Sequence, residues 1–294
     1  MKVYLAGEFG SDTQRHMKRR LFSYWYHHDG DRPSKEVIVA DEKYKLDLFL
    51  DSGAFTAFTK GVDIRIEDYG AYVRNVQHRF TVCASLDMIG DAAKSYDNLK
   101  ALESMGCKVA PVFHAREDVR WLVKYLDEGY DYILIGGMVP ESTPWLRSWL
   151  DHLFTKYLSL PDGTARVMLH GFGLTDQELM FRYPFFSVDS TSWLSGRFGG
   201  CSLMMTDGLG RPVLRKIVFS DSSPLLKEKD SWHYQRLAPP LQQAVDAALV
   251  RFGTTATECA SHYSFRHKVN AQTFQQMESL AKPIFTHQEV GLFD

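Results

Sequence analysis

The 294-residue chain holds only four cysteines, Cys83, Cys107, Cys201 and Cys259, and no two of them stand in a C-x-x-C pair. That scatter argues against a disulfide framework and a cysteine-rich zinc site, and it suits a reducing, cytoplasmic setting. No apolar run reaches the roughly 18 residues that a membrane span requires. The opening "MKVYLAGEFG" has neither the apolar length nor the cleavage pattern of a signal peptide. No G-x-G-x-x-G opens a helix after the first apolar run, so a dinucleotide fingerprint is missing. Metal-dependent barrel hydrolases usually begin with an H-x-H pair, and "KVYLAGEFG" has none. Charge of one sign is not in excess either, because a net charge of −2 does not announce a nucleic-acid binder.

What the chain does have is alternation. Apolar runs at "KVYLAG", "LDLFLDSGAF", "FTVCASLD", "KVAPVFHA", "YILIGGM", "RVMLHGFG" and "FFSVDST" are separated by amphipathic stretches. Several helix ends are legible. "DAAKSYDNLKALESMG" stops at Gly106 and "REDVRWLVKYLDEG" at Gly129, both suited to the left-handed residue that closes a helix. "STPWLRSWLDHLFTKYL" opens with a capping Ser or Thr and Pro144 in its first turn, and "TDQE" (Thr175 to Glu178) reads as a capping box. Repeated strand-then-helix units imply an α/β fold with a parallel sheet and helices outside. Their number predicts a (β/α)8 TIM barrel with a C-terminal helical extension. The eighth strand is expected at "RKIVFS" (Arg215 to Ser220). The barrel then covers about 1–238, and two helices follow over about 239–294, in a single domain spanning 1–294.

Active sites of parallel barrels form at the C-terminal ends of the strands. Asp51, Asp87 and Asp189 fall there in three separate runs, as do His114, His170 and the pair Gly136-Gly137. One such aspartate reads first as a helix cap. Three of them, with two histidines and a double glycine on the same rim, point to a site. Paired carboxylates suit glycosyl transfer, one attacking the anomeric carbon and the other shuttling a proton. Ser52 and Gly53, after Asp51, leave room for a base and its sugar, and glycines let a planar base lie against backbone. Phe55, Phe58, Phe113, Phe172 and Trp193 are either core residues or rings that sandwich such a base. His114, His170 and an aspartate would also serve a metal-dependent barrel hydrolase. A third reading is a non-catalytic nucleic-acid-binding protein on the same barrel.

"RHMKRRLFSYWYHH" (Arg15 to His28) sets Arg15, Lys18, Arg19 and Arg20 among Tyr24, Trp25 and Tyr26. It is either an amphipathic helix with a solvated basic face or a surface that meets phosphates and stacks on bases. Arg197 adds a cation just after the third aspartate. "SHYSFRHKVNAQTFQQMESLAK", with Arg266, His267 and Lys268, is a nucleic-acid-contacting helix or a solvated helix end. Cys259, His262 and His267 stand close together in "CASHYSFRH" and are a candidate zinc set, although the spacing matches no standard zinc pattern.

"LDSGAFTAF" resembles the "DSGGFQ" signature of tRNA-guanine transglycosylases, and "SLDMIGD" falls where that family has its second aspartate. "DYILIGGM" resembles the family's "GYAIGGL" segment, and "VMLHGFGLTDQELMFRYPFFSVDSTSW" resembles the stretch leading to its nucleophilic aspartate. The resemblance implies Asp189 as nucleophile on the sugar C1′, Asp51 as general acid/base, and Asp87 as a partner for the edge of the base. It implies Gly136 and Gly137 as the floor of the base pocket, with His114 where the family usually has a base-reading glutamine. The C-x-C-x-x-C zinc motif of the tRNA enzymes is absent. The chain is therefore more similar to the DNA-guanine transglycosylases of the DpdA type, found in bacterial modification clusters and in phages, which exchange guanine in DNA for a 7-deazaguanine. This implies DNA and a base such as 7-cyano-7-deazaguanine as partners, with tRNA as the alternative polymer. No metal, ATP, nicotinamide or redox cofactor is required. The sequence leaves a partner protein or a homodimer open.

Overall fold

Parallel strands covered on both faces read as continuous apolar runs, and eight parallel strands, one of them opening on two arginines, build one sheet in the computed structural model. They are β1 (Lys2–Leu5), β2 (Arg19–Ser23), β3 (Asp47–Asp51), β4 (Val82–Cys83), β5 (Val112–His114), β6 (Tyr132–Gly136), β7 (Met168–Gly171) and β8 (Ser187–Ser190). The structure describes residues 1–7, 11–139, 141–174, 176–220, 223–227, 231–281 and 284–286. In space the order is β4-β3-β2-β1-β8-β7-β6-β5, with every neighbouring pair parallel. The sheet is curled, and an isolated parallel bridge joins Ala84, just after β4, to Ala110, just before β5. Ala110 N donates to Cys83 O at 2.8 Å and Ser85 N to Ala110 O at 2.9 Å.

One expected strand is replaced by another. Arg215 to Ser220 does not join this sheet, and its place is taken by β2, inside the stretch read as a basic helix or surface. Arg19 bonds Asp47 at 3.3 Å, and the Arg20 guanidinium lies 3.8 Å from the centre of the Phe22 ring. These partners let two arginines occupy a strand that is otherwise apolar.

The helices between strands end where local chemistry ends them. Asp91 accepts from Lys94 N at 2.9 Å to start helix Ala92–Ser104, and Gly106 follows at φ +81°. Gly129, also at φ +81°, follows helix Arg120–Asp127. Ser142 caps helix Thr143–Leu153 through Trp145 N. Thr175, expected to cap the next helix, lies outside the described residues. Asp176 caps Gln177–Arg182 by accepting from Glu178 N and Leu179 N at 2.8 and 3.2 Å.

The chain divides into two compact units. The first holds Met1–Ala6, Arg19–Ser190 and Ser279–Asp294. Tyr4, Phe49, Val82, Val112, Tyr132 and Leu134 pack together inside its sheet. Burial of each such side chain contributes about 1.5–3 kcal/mol. At the strands' N-terminal ends Asp47 accepts from Lys2, Thr81 and Tyr4 at 2.8, 2.7 and 2.9 Å. Burial raises its carboxyl, but these bonds outweigh it and hold the group below its ordinary value.

The second unit is Gly7–Lys18 with Thr191–Glu278. Gly200–Thr206 and Pro212–Val218 pair antiparallel, and Ser231–His233 joins the latter in parallel. Three helices, Pro239–Arg251, Ala256–Ser261 and Tyr263–Gln276, stand where two were expected. Cys201, Leu203, Ile217, Val245, Leu249 and Val269 form its core. Buried Asn270 satisfies backbone on two sides, accepting from Ser202 N at 2.6 Å and donating to Trp193 O at 2.7 Å. Among the described residues no helix is long and apolar enough to cross a membrane.

Candidate active site

Asp51 ends β3 beside Ser23 of β2 in the parallel register. The next turn needs Gly53 at φ +80°, and its N–H points back to Asp51 Oδ2 at 3.0 Å. A Cβ on Gly53 would sit 2.7 Å from Trp25 Cβ and 2.9 Å from Ser23 Oγ, so glycine is required twice over. Ser52 is fully buried, and its hydroxyl donates to Asp87 Oδ1 at 3.0 Å. Burial, then the charges of Asp87 and Asp189, push the Asp51 carboxyl up to about 7. The Ser23 hydroxyl and the Gly53 N–H only partly offset them. The charges of Asp87, in the loop after β4, and of Asp189, on β8, are therefore both felt at Asp51.

His114, the last residue of β5, is clamped between two carboxylates. Its Nε2 lies 3.0 Å from Asp87 Oδ2 and its Nδ1 3.2 Å from Glu117 Oε1, while Glu117 Oε2 accepts from the His114 backbone N at 2.9 Å. Burial disfavours the charged ring, but the two carboxylates prevail and raise His114 to about 9. The ring is an imidazolium at neutral pH, with both N–H groups already donated. It fixes Asp87 and has no donor left for a base.

The double glycine has a local reason as well. A Cβ on Gly136 would stand 2.5 Å from His114 Cδ2 and 2.9 Å from its Nε2, and one on Gly137, at φ +69°, 3.0 Å from Ala115 N. Gly136 is thus the space into which the His114 ring fits. Gly136→Ala is expected to destabilise the protein by about 1–3 kcal/mol, as overpacking does. Urea unfolding measures this, and an unchanged midpoint would show that the ring does not pack against this glycine.

On β8, Asp189 Oδ1 accepts from Gly173 N at 2.8 Å and from His170 Nε2 at 3.3 Å. His170 is fully buried, with ring centres of Phe49 and Phe172 at 4.4 and 4.7 Å. Its Nδ1 lies 2.6 Å from Ser187 Oγ, which is 2.5 Å from the Tyr132 hydroxyl. Burial lowers the pKa of His170, against the opposing pull of Asp189.

Asp51, Ser52, Asp87, His114, Gly136, His170 and Asp189 are thus linked by contact or by field. The aromatic residues divide. Phe55 and Phe58 are each 60% exposed on helix Ala54–Lys60, and Phe172 packs on His170. Phe113 and Trp193 are wholly buried, which removes them as base-stacking rings. The basic residues do not form one face. Arg15 and Lys18 are exposed in the second unit, as is Arg197, whereas Arg19 and Arg20 belong to β2. Arg20 and Arg266 are buried, contrary to a phosphate-contacting role, and Arg266 donates to Gly196 O at 2.6 Å and to Cys259 O. Lys268 is half-buried and donates to Gly253 O at 3.2 Å.

The weak zinc set does not converge. Cys259 Sγ lies 3.8 Å from Cys201 Sγ, His262 Nδ1 bonds Ser264 Oγ at 2.8 Å, and the His267 ring packs against Trp193 and Tyr263. Among the described residues no group of three or more His, Cys, Asp or Glu side chains is placed to hold a metal ion. Sequence reasoning passed over Ser23, Glu117, Tyr132, Gly173 and Ser187. Of these Ser187 carried a signal, since it precedes Asp189 by two on a strand and shares its face. A cavity of about 540 Å3, lined by Met1, Asp131, Arg166, Met168 and Phe186, lies at the strands' N-terminal ends, away from the aspartates.

No protein-family model matches the chain, and no curated protein matches its sequence.

Proposed function

We propose that the curled sheet is a closed (β/α)8 barrel whose C-terminal rim exchanges guanine in DNA for a 7-deazaguanine base. What carries this reading is the buried Asp51 carboxyl, raised by burial and by the charges of Asp87 and Asp189. A carboxyl near 7 gives and takes a proton at neutral pH, as a general acid/base must. Asp189, held by two donors, is oriented as a nucleophile needs to be. Asp87, fixed by Ser52 and the His114 imidazolium, supplies acceptor oxygens for the edge of a purine.

The exchange runs in two displacements. The target guanosine is turned out of the stack at a cost of a few kcal/mol. Asp189 bonds C1′ as the C1′–N9 bond breaks, and Asp51 gives its proton to the departing base. The incoming deazaguanine returns a proton from N9 to Asp51 as it attacks C1′, and Asp189 leaves. Proton and electron pair are both restored. DNA as the polymer rests on the sequence resemblance.

Purified protein incubated with isotope-labelled 7-cyano-7-deazaguanine and either duplex DNA or tRNA is expected to label deoxynucleosides, read by mass spectrometry after digestion. Label only in tRNA nucleosides would transfer the reading to tRNA. Label in neither would overturn it.

A further inference from the structure

Resting on that reading, we propose that Tyr132, Ser187 and His170 form a positioning relay that presents Oδ2 of Asp189 as the attacking oxygen. Among the described residues both hydrogen bonds to Asp189 fall on Oδ1, from Gly173 N and His170 Nε2. Two donors on one oxygen fix the carboxylate plane and leave Oδ2 for C1′.

The polarity of the chain follows from its ends. A carboxylate oxygen only accepts, so the His170 nitrogen facing it carries the hydrogen. Burial keeps the ring neutral, and a neutral imidazole has one N–H. Nδ1 must then accept from Ser187 Oγ, 2.6 Å away. Having given its single hydrogen to His170, Ser187 accepts from the Tyr132 hydroxyl at 2.5 Å. Every hydrogen in the chain therefore points towards Asp189. The reverse polarity would set a bare imidazole lone pair against a carboxylate oxygen. A tilted contact with Phe49 and an edge contact with Phe172 hold the ring, so the tautomer and the aim of its N–H are set by the same pocket.

The relay acts throughout the exchange. When Oδ2 bonds C1′, the electron pair of the C1′–N9 bond goes to the base with the Asp51 proton, and Oδ1 becomes the carbonyl oxygen of a glycosyl ester. The same two donors still face Oδ1, and they stabilise the charge that returns to the carboxylate when the incoming N9 displaces it.

The test has one arm that needs no turnover. In the full chain labelled with 15N-histidine, the ring nitrogens of His170 are expected to report an Nε2–H tautomer at neutral pH. Ser187→Ala removes the donor to Nδ1 and is expected to lose that tautomer's dominance. It should lower kcat for base exchange by about 100-fold, the scale of a small misplacement, with KM nearly unchanged. Tyr132→Phe deletes one oxygen from the far end and should keep the tautomer while lowering kcat by less. An Nδ1–H tautomer in the unaltered protein would overturn the relay, as would a folded Ser187→Ala protein of full kcat. An Nε2–H tautomer in a protein that exchanges no base would overturn the transglycosylase reading and leave the hydrogen-bond polarity standing.

Discussion

Asp189→Asn is expected to abolish base exchange while the protein stays folded. Loss of the nucleophile should lower turnover by about 10^4-fold or more, as removing a single covalent catalyst does elsewhere. The amide keeps the size of the carboxyl, and its oxygen can still accept from Gly173 N and His170 Nε2. What it lacks is an anionic oxygen to bond C1′, so effects on binding and folding should be small beside the effect on kcat. Intact-mass spectrometry of the denatured enzyme gives a second readout. The unaltered protein mixed with DNA should carry a covalent sugar-bearing adduct that maps to Asp189, and the variant should carry none. An adduct mapped to Asp51 instead would exchange the roles assigned to these two carboxyls.

Asp51→Asn is expected to lose about 10^2- to 10^4-fold in activity, the usual contribution of a general acid/base, and yet to be more stable than the unaltered protein above neutral pH. The carboxyl moves from an ordinary 3.8 in the unfolded chain to about 7 in the fold. Between those values the folded protein holds a proton that the unfolded chain has released. Stability therefore falls as pH rises through this window and levels off above 7. Asparagine has no proton to lose, so the decline should vanish. His114 has the opposite linkage. Its value rises from 6.5 to about 9, so its contribution is complete below 6.5 and is lost as pH climbs through 9. Melting temperatures from pH 4 to 10 should show both declines in the unaltered protein and only the alkaline one in Asp51→Asn. An acid-side slope that survives in the variant would mean that Asp51 is not the group responsible.

The strands that were legible are those whose apolar run stops at an Asp, His or Gly. Tyr132–Gly136 and Asp47–Asp51 belong here, because burial on both faces leaves a signal that needs no partner to be read. Arg19–Ser23 was hidden because charge in a short run imitates a surface. Asp47 pairs with Arg19 and the Phe22 ring lies against Arg20, and neither partner can be inferred from the arginines themselves. Arg215 to Ser220 is extended as expected, but antiparallel pairing with Gly200–Thr206 places it in another sheet. The aspartates were visible as a set because each follows an apolar run, Asp51 closing β3, Asp87 in the loop after β4 and Asp189 inside β8. Their bracing was not, because His114 joins Asp87 and Glu117, and His170 joins Asp189 and Ser187, across strands whose register no single segment encodes.

The register of β1 has a consequence in time. Lys2, Val3, Tyr4 and Leu5 pair with Ser187, Val188, Asp189 and Ser190, so the first strand of this sheet in the sequence is partnered by its last. A ribosome adding about 5–20 residues per second needs on the order of ten seconds or more to bridge that interval. During the wait β1 offers the growing chain an open edge, the kind of surface on which wrong pairings begin. Of the three aspartates, Asp189 is the last to be synthesised and arrives on the strand that removes this edge. On the proposed reading, a nascent chain carries Asp51 well before Asp189, and the two carboxyls share one site only when β8 has docked beside β1.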